Sequence, residues 1–538
     1  MLPGLTIPAG LVTLLQVFRP CFTTPTFHTF CGLVLGSIAA TGRRTVCAML
    51  LGAGLSRVWP HDRAHDFFAR SRWDPLQVGS TLARLVVEVL VPAGEPVVTA
   101  VDDTLFKRWG PKVFGRAWQH DGAGKGPRAV SSGVCFVVVG IVVTLPFCSH
   151  PVCLPVLARL WRPAPKPATG SRTPARRSAT ATTAVAVQRA QTRLDKAVAK
   201  RQARADRLAA AGGWLPGSVP DLDTPIARAR QALAEALAAH TRAQALLAPP
   251  IHCRQRRQRG TPTADSHPTK TEIGIDLVTR LAAALPGRAI HVVADAAYHS
   301  PALRHLPEQV TWTFRLAKTA VLHALPPAPT GGPGRPPVKG HRLGTCEQIT
   351  ATAAFTAVRI RRNGTDTPAS IATLTCLWHS SLGTTRIRLT LIRNHHTTSG
   401  YDLAILTTDH TSSPITIANR YATRWSIEVC FHEARDHLGT GQPHNRTRTA
   451  VERTIPFQLA TYSLVTLWYA RYGHHPTDVI NRRLLAPWYT TKTSPSYEDM
   501  ITKLRRDMTI SEYQPRTPEQ ALPQQIPVTC PTCQAAAA

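Results

Sequence analysis

Acidic residues are scarce in this sequence. The 538 residues include 32 Asp and Glu but 63 Lys and Arg, so the formal net charge is +31 at pH 7. A positive excess of this size favours a polyanionic partner, which is either nucleic acid or a membrane surface. The few acids that the chain does carry are informative, because their placement stands out against a basic background.

Long apolar runs and cysteines are scarce as well. The longest apolar run, residues 134–147, is shorter than the roughly 20 residues that cross a bilayer, which excludes a membrane-spanning role. Twelve cysteines are too few for a disulfide scaffold, and most have apolar neighbours, so we interpret them as buried side chains in a reducing compartment. The single CxxC, at Cys530 and Cys533, has no further ligands at zinc-binding spacing and is predicted to lie in a loose tail.

The hydrophobic content is nevertheless that of a folded protein. Hydrophobic residues make up 43% of the chain, which excludes global disorder, and the length suggests three or four structural units. Residues 1–95 have apolar residues at helical spacing and are predicted to form an N-terminal helical region that could bind DNA. Residues 96–158 are predicted to form strands, with a hairpin that turns near Gly140.

Much of the positive charge is concentrated in one segment. Residues 159–259 contain 20 Lys and Arg but 5 Asp and Glu, so about a fifth of the chain carries nearly half of the excess charge. Good helix formers fill residues 184–211 and 225–247. These features predict a basic helical insertion over residues 159–268 that binds DNA or pairs subunits, and its deletion should then weaken DNA affinity or assembly. A disordered basic linker is the alternative.

The remaining chain alternates between helices and strands. Residues 269–310 are predicted to form a helix and a strand that ends in an acid, residues 311–414 a β-rich insertion, and residues 415–480 further helices. Residues 481–538 show little periodicity and are predicted to form a C-terminal tail. The order of these elements indicates an α/β fold class.

Three acids lie at positions where they could meet. Asp103, preceded by Asp102, follows an apolar strand, Asp295 ends a later strand, and Glu428 lies in the helix after residue 415. Three carboxylates that converge at the edge of a sheet could hold two Mg²⁺ ions through hard oxygen ligands. Two such ions can activate a water or hydroxyl and stabilise the leaving oxygen of a phosphodiester.

The helix around the third acid resembles a known family. It reads Tyr421-x2-Arg424-x3-Glu428-x6-Arg435, which is similar to the YREK signature of bacterial DDE-type insertion-sequence transposases. Arg435 stands where that family usually has Lys, which keeps the charge but changes the geometry offered to a phosphate.

Two further motifs of that family occur in the expected order. Residues 101–104 are similar to its D-D-T motif, which is followed by a basic residue, here Lys107. Residues 292–298 are similar to its V-x-D-x-x-Y motif around the second Asp. The resemblance covers roughly residues 60–475, and the long basic insertion is not part of the family's core motif.

The resemblance implies an RNase H-like fold, in which helices flank a mixed sheet and a strand-rich insertion separates the second Asp from the Glu. It implies that Asp103, Asp295 and Glu428 are the catalytic residues and ligate two Mg²⁺ ions, with Mn²⁺ able to substitute. Asp103 is preferred over Asp102 because the family's ligand directly precedes the Thr. Asp102 is the alternative, and only one of the two should reach the metals, since adjacent strand residues face opposite ways.

The resemblance also implies partners and an activity. Tyr421, Arg424, Arg435 and Lys107 would bind DNA phosphates, although the arginines could instead be ordinary surface charges. The expected function is Mg²⁺-dependent cleavage at insertion-sequence ends and strand transfer into target DNA, by a homodimer on DNA, in the bacterial cytoplasm at the nucleoid. A related nuclease that only hydrolyses DNA and a catalytically inactive DNA-binding remnant are the alternatives.

Overall fold

The chain divides into two compact units, residues 1–163 with 267–538 and residues 164–266. The computed structural model describes residues 7–122, 124, 129–164, 173–210, 223–245, 267–328, 336–362 and 364–513. Over these ranges, none of the helices combines the length and the apolar composition needed to cross a bilayer.

The first unit begins with helices that pack around an aromatic cluster. They are α1 (Ala9–Gln16), α2 (Thr24–Ala39), α3 (Val46–Gly52), α4 (His61–Ala69) and α5 (Pro75–Leu90). Thr45 caps α3 by accepting a hydrogen bond from the Ala48 amide, and Asp74 caps α5 in the same way. The rings of Phe22 and Phe30 stack with centroids 4.7 Å apart. The helices predicted over residues 1–95 are therefore present.

The next strands form one end of a large sheet. They are β1 (Val97–Lys107), β2 (Ala117–His120), β3 (Val130–Val143) and β4 (Val152–Trp161). β3 pairs antiparallel with β1 and β4 and continues through Gly140, where its register with β4 shifts, so the predicted hairpin near Gly140 is wrong. A Cβ at Gly140 would lie 2.3 Å from Cys153 Sγ. The glycine therefore permits the close approach of β4 and does not form a turn.

The second unit contains two long helices, α6 (Thr173–Ala210) and α7 (Thr224–Ala245). Thr183 Oγ1 lies 3.1 Å from His240 Nδ1, and Arg201 pairs with Asp223 at 3.0 Å, so the helices contact each other at both ends. The helical prediction for this segment is confirmed. Its predicted start at residue 159 falls within β4, since residues up to Trp161 remain paired in the sheet.

The first unit then resumes and completes the sheet. Its elements are α8 (Lys270–Ala284), β5 (Ile290–Ala294), β6 (Val310–Arg315), β7 (Leu322–His323), β8 (Arg342–Gly344), α9 (Cys346–Thr350), β9 (Thr356–Arg362), β10 (Thr365–Leu377), α10 (His379–Leu382), β11 (Arg386–Asn394) and β12 (Leu403–Thr407). The twelve strands of the described ranges follow the order β2-β3-β1-β5-β6-β12-β11-β10-β7-β8, with β4 beside β3 and β9 beside β10.

The strand-rich segment after Asp295 continues this sheet. β5 pairs in parallel with both β1 and β6, and β12 then pairs antiparallel with β6. The predicted boundary at residue 311 falls inside β6. Strands are present where the β-rich insertion was predicted, but they extend the core sheet through continuous backbone hydrogen bonds.

The C-terminal part of the unit is helical. Its helices are α11 (Pro414–Ala422), α12 (Ser426–Leu438), α13 (Arg448–Trp468), α14 (Asp478–Leu485) and α15 (Tyr497–Tyr513). The predicted tail from residue 481 is therefore wrong up to residue 513. α15 buries Ile501 and Leu504 completely, and Arg505 Nε donates to the Ile38 carbonyl at 2.6 Å. The predicted loose CxxC lies outside the described residues.

Candidate active site

The two adjacent acids of β1 face opposite sides of the sheet. Val101 faces α8, because a Cβ on Gly274 of that helix would meet Val101 Cγ1 at 3.2 Å. Side chains alternate along a strand, so Asp103 faces the same way as Val101 and Asp102 faces the other. Helix α12 packs on the Asp102 side, where Arg435 hydrogen-bonds the Thr104 hydroxyl.

A single arginine connects Asp102 to Glu428. Arg424 lies in the short 3₁₀ turn between α11 and α12, and Glu428 lies in the first turn of α12. Arg424 Nη1 is 3.4 Å from Asp102 Oδ2, and Arg424 Nη2 is 2.8 Å from Glu428 Oε1. Carboxylates from a strand and a helix are thus brought to one guanidinium, although they are more than 300 residues apart.

The environment of Asp102 disfavours an isolated negative charge. Burial raises the pKa of Asp102 to about 7, and the negative charges of Asp103 and Glu428 add to this effect. The Asp103 amide, which donates to Asp102 Oδ1 at 2.8 Å, and the Arg424 guanidinium act in the opposite direction. A divalent cation would relieve the repulsion, so these carboxylates fit a hard metal ion such as Mg²⁺.

Asp295 directly follows the neighbouring strand β5, at the level of Asp102. Val101 on β1 pairs in parallel register with Ala294 on β5, and Asp102 and Asp295 each follow by one residue. Burial raises the pKa of Tyr421 to about 12, Arg424 opposes this rise and Asp295 adds to it. Asp295 is therefore near Tyr421, which is itself beside Arg424. Asp102 and Glu428 contact Arg424 directly, and Asp295 acts on the charge of the neighbouring Tyr421.

Asp103 belongs to a separate cluster on the α8 face. Lys270 Nζ lies 2.6 Å from Asp103 Oδ2, the Tyr298 hydroxyl donates to Oδ1 at 3.1 Å, and the Cys135 thiol donates to Oδ2 at 3.2 Å. The structure thus brings Asp102, and not Asp103, to Glu428 and Arg424. The preference for Asp103 stays a prediction that this geometry does not support.

The other residues predicted to bind DNA are held by protein groups. Tyr421 is only 8% exposed. The Arg435 guanidinium lies 5.3 Å from the centre of the Phe106 ring, and Lys107 Nζ pairs with the buried Asp121 carboxylate at 3.0 Å. Their contacts with DNA remain predictions, but Arg424 and Arg435 are not ordinary surface charges, since both are largely covered by the protein.

Sequence reasoning missed two sets of side chains near this site, which are Lys270 and the Asp409–Arg420 ion pair. Lys270 lies between the capping-box residues Thr269 and Glu272, which signal a helix start but give no hint of the ion pair with Asp103. Asp409 forms a buried ion pair with Arg420 at 2.8 Å, which anchors α11 ahead of the Arg424 turn. Burial opposes the negative charge of Asp409, but hydrogen bonds from Ser412 and Arg420 hold its pKa well below the ordinary value.

Comparison with known proteins identifies a family for this chain. The family model of the DDE superfamily endonucleases matches residues 17–214 and 223–371, which is more than half of the chain. The match includes Asp102, Asp103 and Asp295 and ends before Glu428. None of the curated proteins with which the chain was compared gives a significant match. The extent of the family match shows that the chain belongs to the DDE superfamily endonucleases.

Proposed function

We propose that this DNA endonuclease is a transposase, which cleaves DNA at insertion-sequence ends and joins the freed 3′ ends to target DNA. The observation that carries the proposal is the Arg424 guanidinium between Asp102 and Glu428, with Asp295 level with Asp102 on the neighbouring backbone. This arrangement brings the two aspartates to the same region as the residues of the Y-x2-R-x3-E motif.

The order of the central strands supports an RNase H-like core. Strands β4, β3 and β1 form an antiparallel meander, and β5 and β6 follow in parallel on the other side of β1. In chain order this arrangement is 3-2-1-4-5, a mixed sheet of the kind that the resemblance implies. Asp102 then lies on strand 1 of that core, and Asp295 directly follows the adjacent strand 4.

The metal ligands that we propose are Asp102, Asp295 and Glu428. Their donor atoms are carboxylate oxygens, and the pKa of Asp102 is raised first by burial and then by the neighbouring charges of Asp103 and Glu428. Two Mg²⁺ or Mn²⁺ ions bound there would activate the attacking oxygen and stabilise the leaving oxygen of the phosphodiester. Asp102 takes the place of Asp103 in this set because only its side chain faces α12.

The other side chains position these ligands. Arg424 holds Asp102 and Glu428 at fixed separations through two hydrogen bonds of one planar guanidinium. Tyr421 is buried beside Arg424 and restrains it. A DNA phosphate that enters the site would meet a positive group whose orientation is already set, which reduces the entropy lost on binding.

A strand-transfer assay separates a transposase from a nuclease that only hydrolyses DNA. Labelled duplexes that carry the repeats flanking the reading frame are incubated with the full chain, Mg²⁺ and a circular target. We expect labelled ends to be joined to the target, and paired joining of two ends would support a homodimer on DNA. Glu428→Gln is the control and should give neither cleavage nor joining. Cleavage of the ends without any joined product would contradict the transposase proposal and favour the nuclease.

A further inference from the structure

A thiol and two imidazoles meet on the surface of the N-terminal helices. Cys47 lies on α3, and His61 and His65 lie one turn apart on α4. Cys47 Sγ is 3.3 Å from His61 Nε2 and 3.6 Å from His65 Nε2. The three ligand atoms lie within 4.8 Å of one another. We propose that Cys47, His61 and His65 form a zinc site that links α3 to α4.

The two sulfur–nitrogen distances fit a tetrahedral zinc ion. Zinc binds imidazole nitrogen at about 2.0–2.1 Å and thiolate sulfur at about 2.3 Å, so tetrahedral geometry requires a sulfur–nitrogen separation of about 3.6 Å. The two measured sulfur–nitrogen distances lie at or just below this value. A zinc ion could therefore bind with little movement of the helices.

The chemistry of the donors also favours zinc over the ions that suit the active site. One thiolate and two imidazoles are ligands of zinc and related transition metals, whereas Mg²⁺ prefers oxygen. His61 Nδ1 lies 3.4 Å from the Asp62 carboxylate, which leaves Nε2 directed at Cys47. A carboxylate behind a histidine ligand is a common feature of zinc sites.

The site is open to incoming ions. Cys47 and His65 line a cleft together with Arg43, His444 and Arg446. The Cys47 and His61 side chains are exposed to solvent. Three protein ligands leave the fourth tetrahedral position to water, which can reach the ion through this cleft. A bound zinc would fix the loop between α3 and α4 in addition to the backbone hydrogen bonds within that loop.

Zinc binding is measured on the full chain without an affinity tag, stripped of metal and kept reduced. Excess Mg²⁺ occupies the carboxylates of the active site during the titration. We expect one zinc per chain, a thermal midpoint that rises with zinc, and a cobalt-substituted protein with a thiolate charge-transfer band. Cys47→Ser and His65→Asn should each weaken zinc affinity at least about a hundredfold, since even changes behind a ligand cost 10–100-fold.

Control variants separate this site from other binding. His28→Asn removes an exposed histidine of α2 and should leave the zinc affinity unchanged. Glu428→Gln should also keep the zinc, since it alters only the active site. His61→Asn is the mildest variant for folding, because this side chain is 64% exposed. Unchanged zinc affinity in the Cys47 and His65 variants, or a cobalt spectrum without a thiolate band, would overturn the proposal.

Discussion

Asp102 and Asp103 are adjacent on β1 but have different environments on its two faces. On the α8 face, Asp103 is paired with Lys270 at 2.6 Å and hydrogen-bonded by Tyr298, so its charge is satisfied within the protein. On the α12 face, Asp102 shares Arg424 with Glu428 and has a pKa raised by burial to about 7. We interpret the acid with a close ion pair as structural, and the buried acid with a raised pKa as the one available for a cation.

The most decisive test of this difference replaces Asp102 and Asp103 by Asn, one at a time. Asp102→Asn should lower Mg²⁺-dependent DNA cleavage at least about a thousandfold, because a lost metal ligand removes several kcal/mol of transition-state stabilisation. Asp103→Asn is the matched control and should keep cleavage within about tenfold of the wild type. Cleavage is followed with labelled transposon ends on denaturing gels. The opposite ranking of the two variants would restore Asp103 as the ligand.

Without metal, the free energy of unfolding should change in opposite directions when Asp102 and Asp103 are each replaced by Asn. The folded pKa of Asp102, about 7, exceeds the ordinary 3.8, so folded protein loses stability as pH rises from about 4 through 7. At pH 8 in EDTA, Asp102→Asn should therefore be more stable than wild type by about 2–4 kcal/mol. Asp103→Asn should be less stable by about 1–3 kcal/mol, because Lys270 loses its charged partner. Urea unfolding at pH 5 and pH 8 measures both.

Added Mg²⁺ provides the check on this interpretation. It should stabilise the wild type and Asp103→Asn but have little effect on Asp102→Asn, since the metal binds only the folded state that carries the ligand. Equal stabilisation of all three proteins would mean that the two faces of β1 do not differ in metal binding.

The smallest effect is expected from the arginine between the acids. Arg424→Lys keeps the charge but cannot place two donors of a rigid fork on Asp102 and Glu428, so cleavage should fall about tenfold, or about 1.4 kcal/mol. Arg435→Lys is the control, because it introduces the residue usual in the resembled family and should stay within about threefold of the wild type. Initial cleavage rates at saturating Mg²⁺ compare the two variants. A similar loss in both would show that Arg424 has no special role.

Much of the fold was predictable because local patterns dominate it. The strand at residues 403–407 and the helices around residues 184–247 carry enough apolar alternation or helix propensity to be recognised. α15 was missed because its apolar residues, among them Ile501 and Leu504, are dispersed among charged ones. Their burial depends on contacts with distant helices, such as the bond from Arg505 to Ile38.

The candidate site, too, was predictable from the sequence only in part. The sequence by itself determined the family resemblance, the three acidic positions and the basic insertion, since motif spacing and charge are properties of the linear chain. Its preference for Asp103 over Asp102 rested on the family motif, whereas the packing of α8 and α12 distinguishes the two faces of β1 and favours Asp102. The tertiary structure alone also brought Cys47 to His61 and His65, since a loop closes the distance between their helices and no spacing rule marks it.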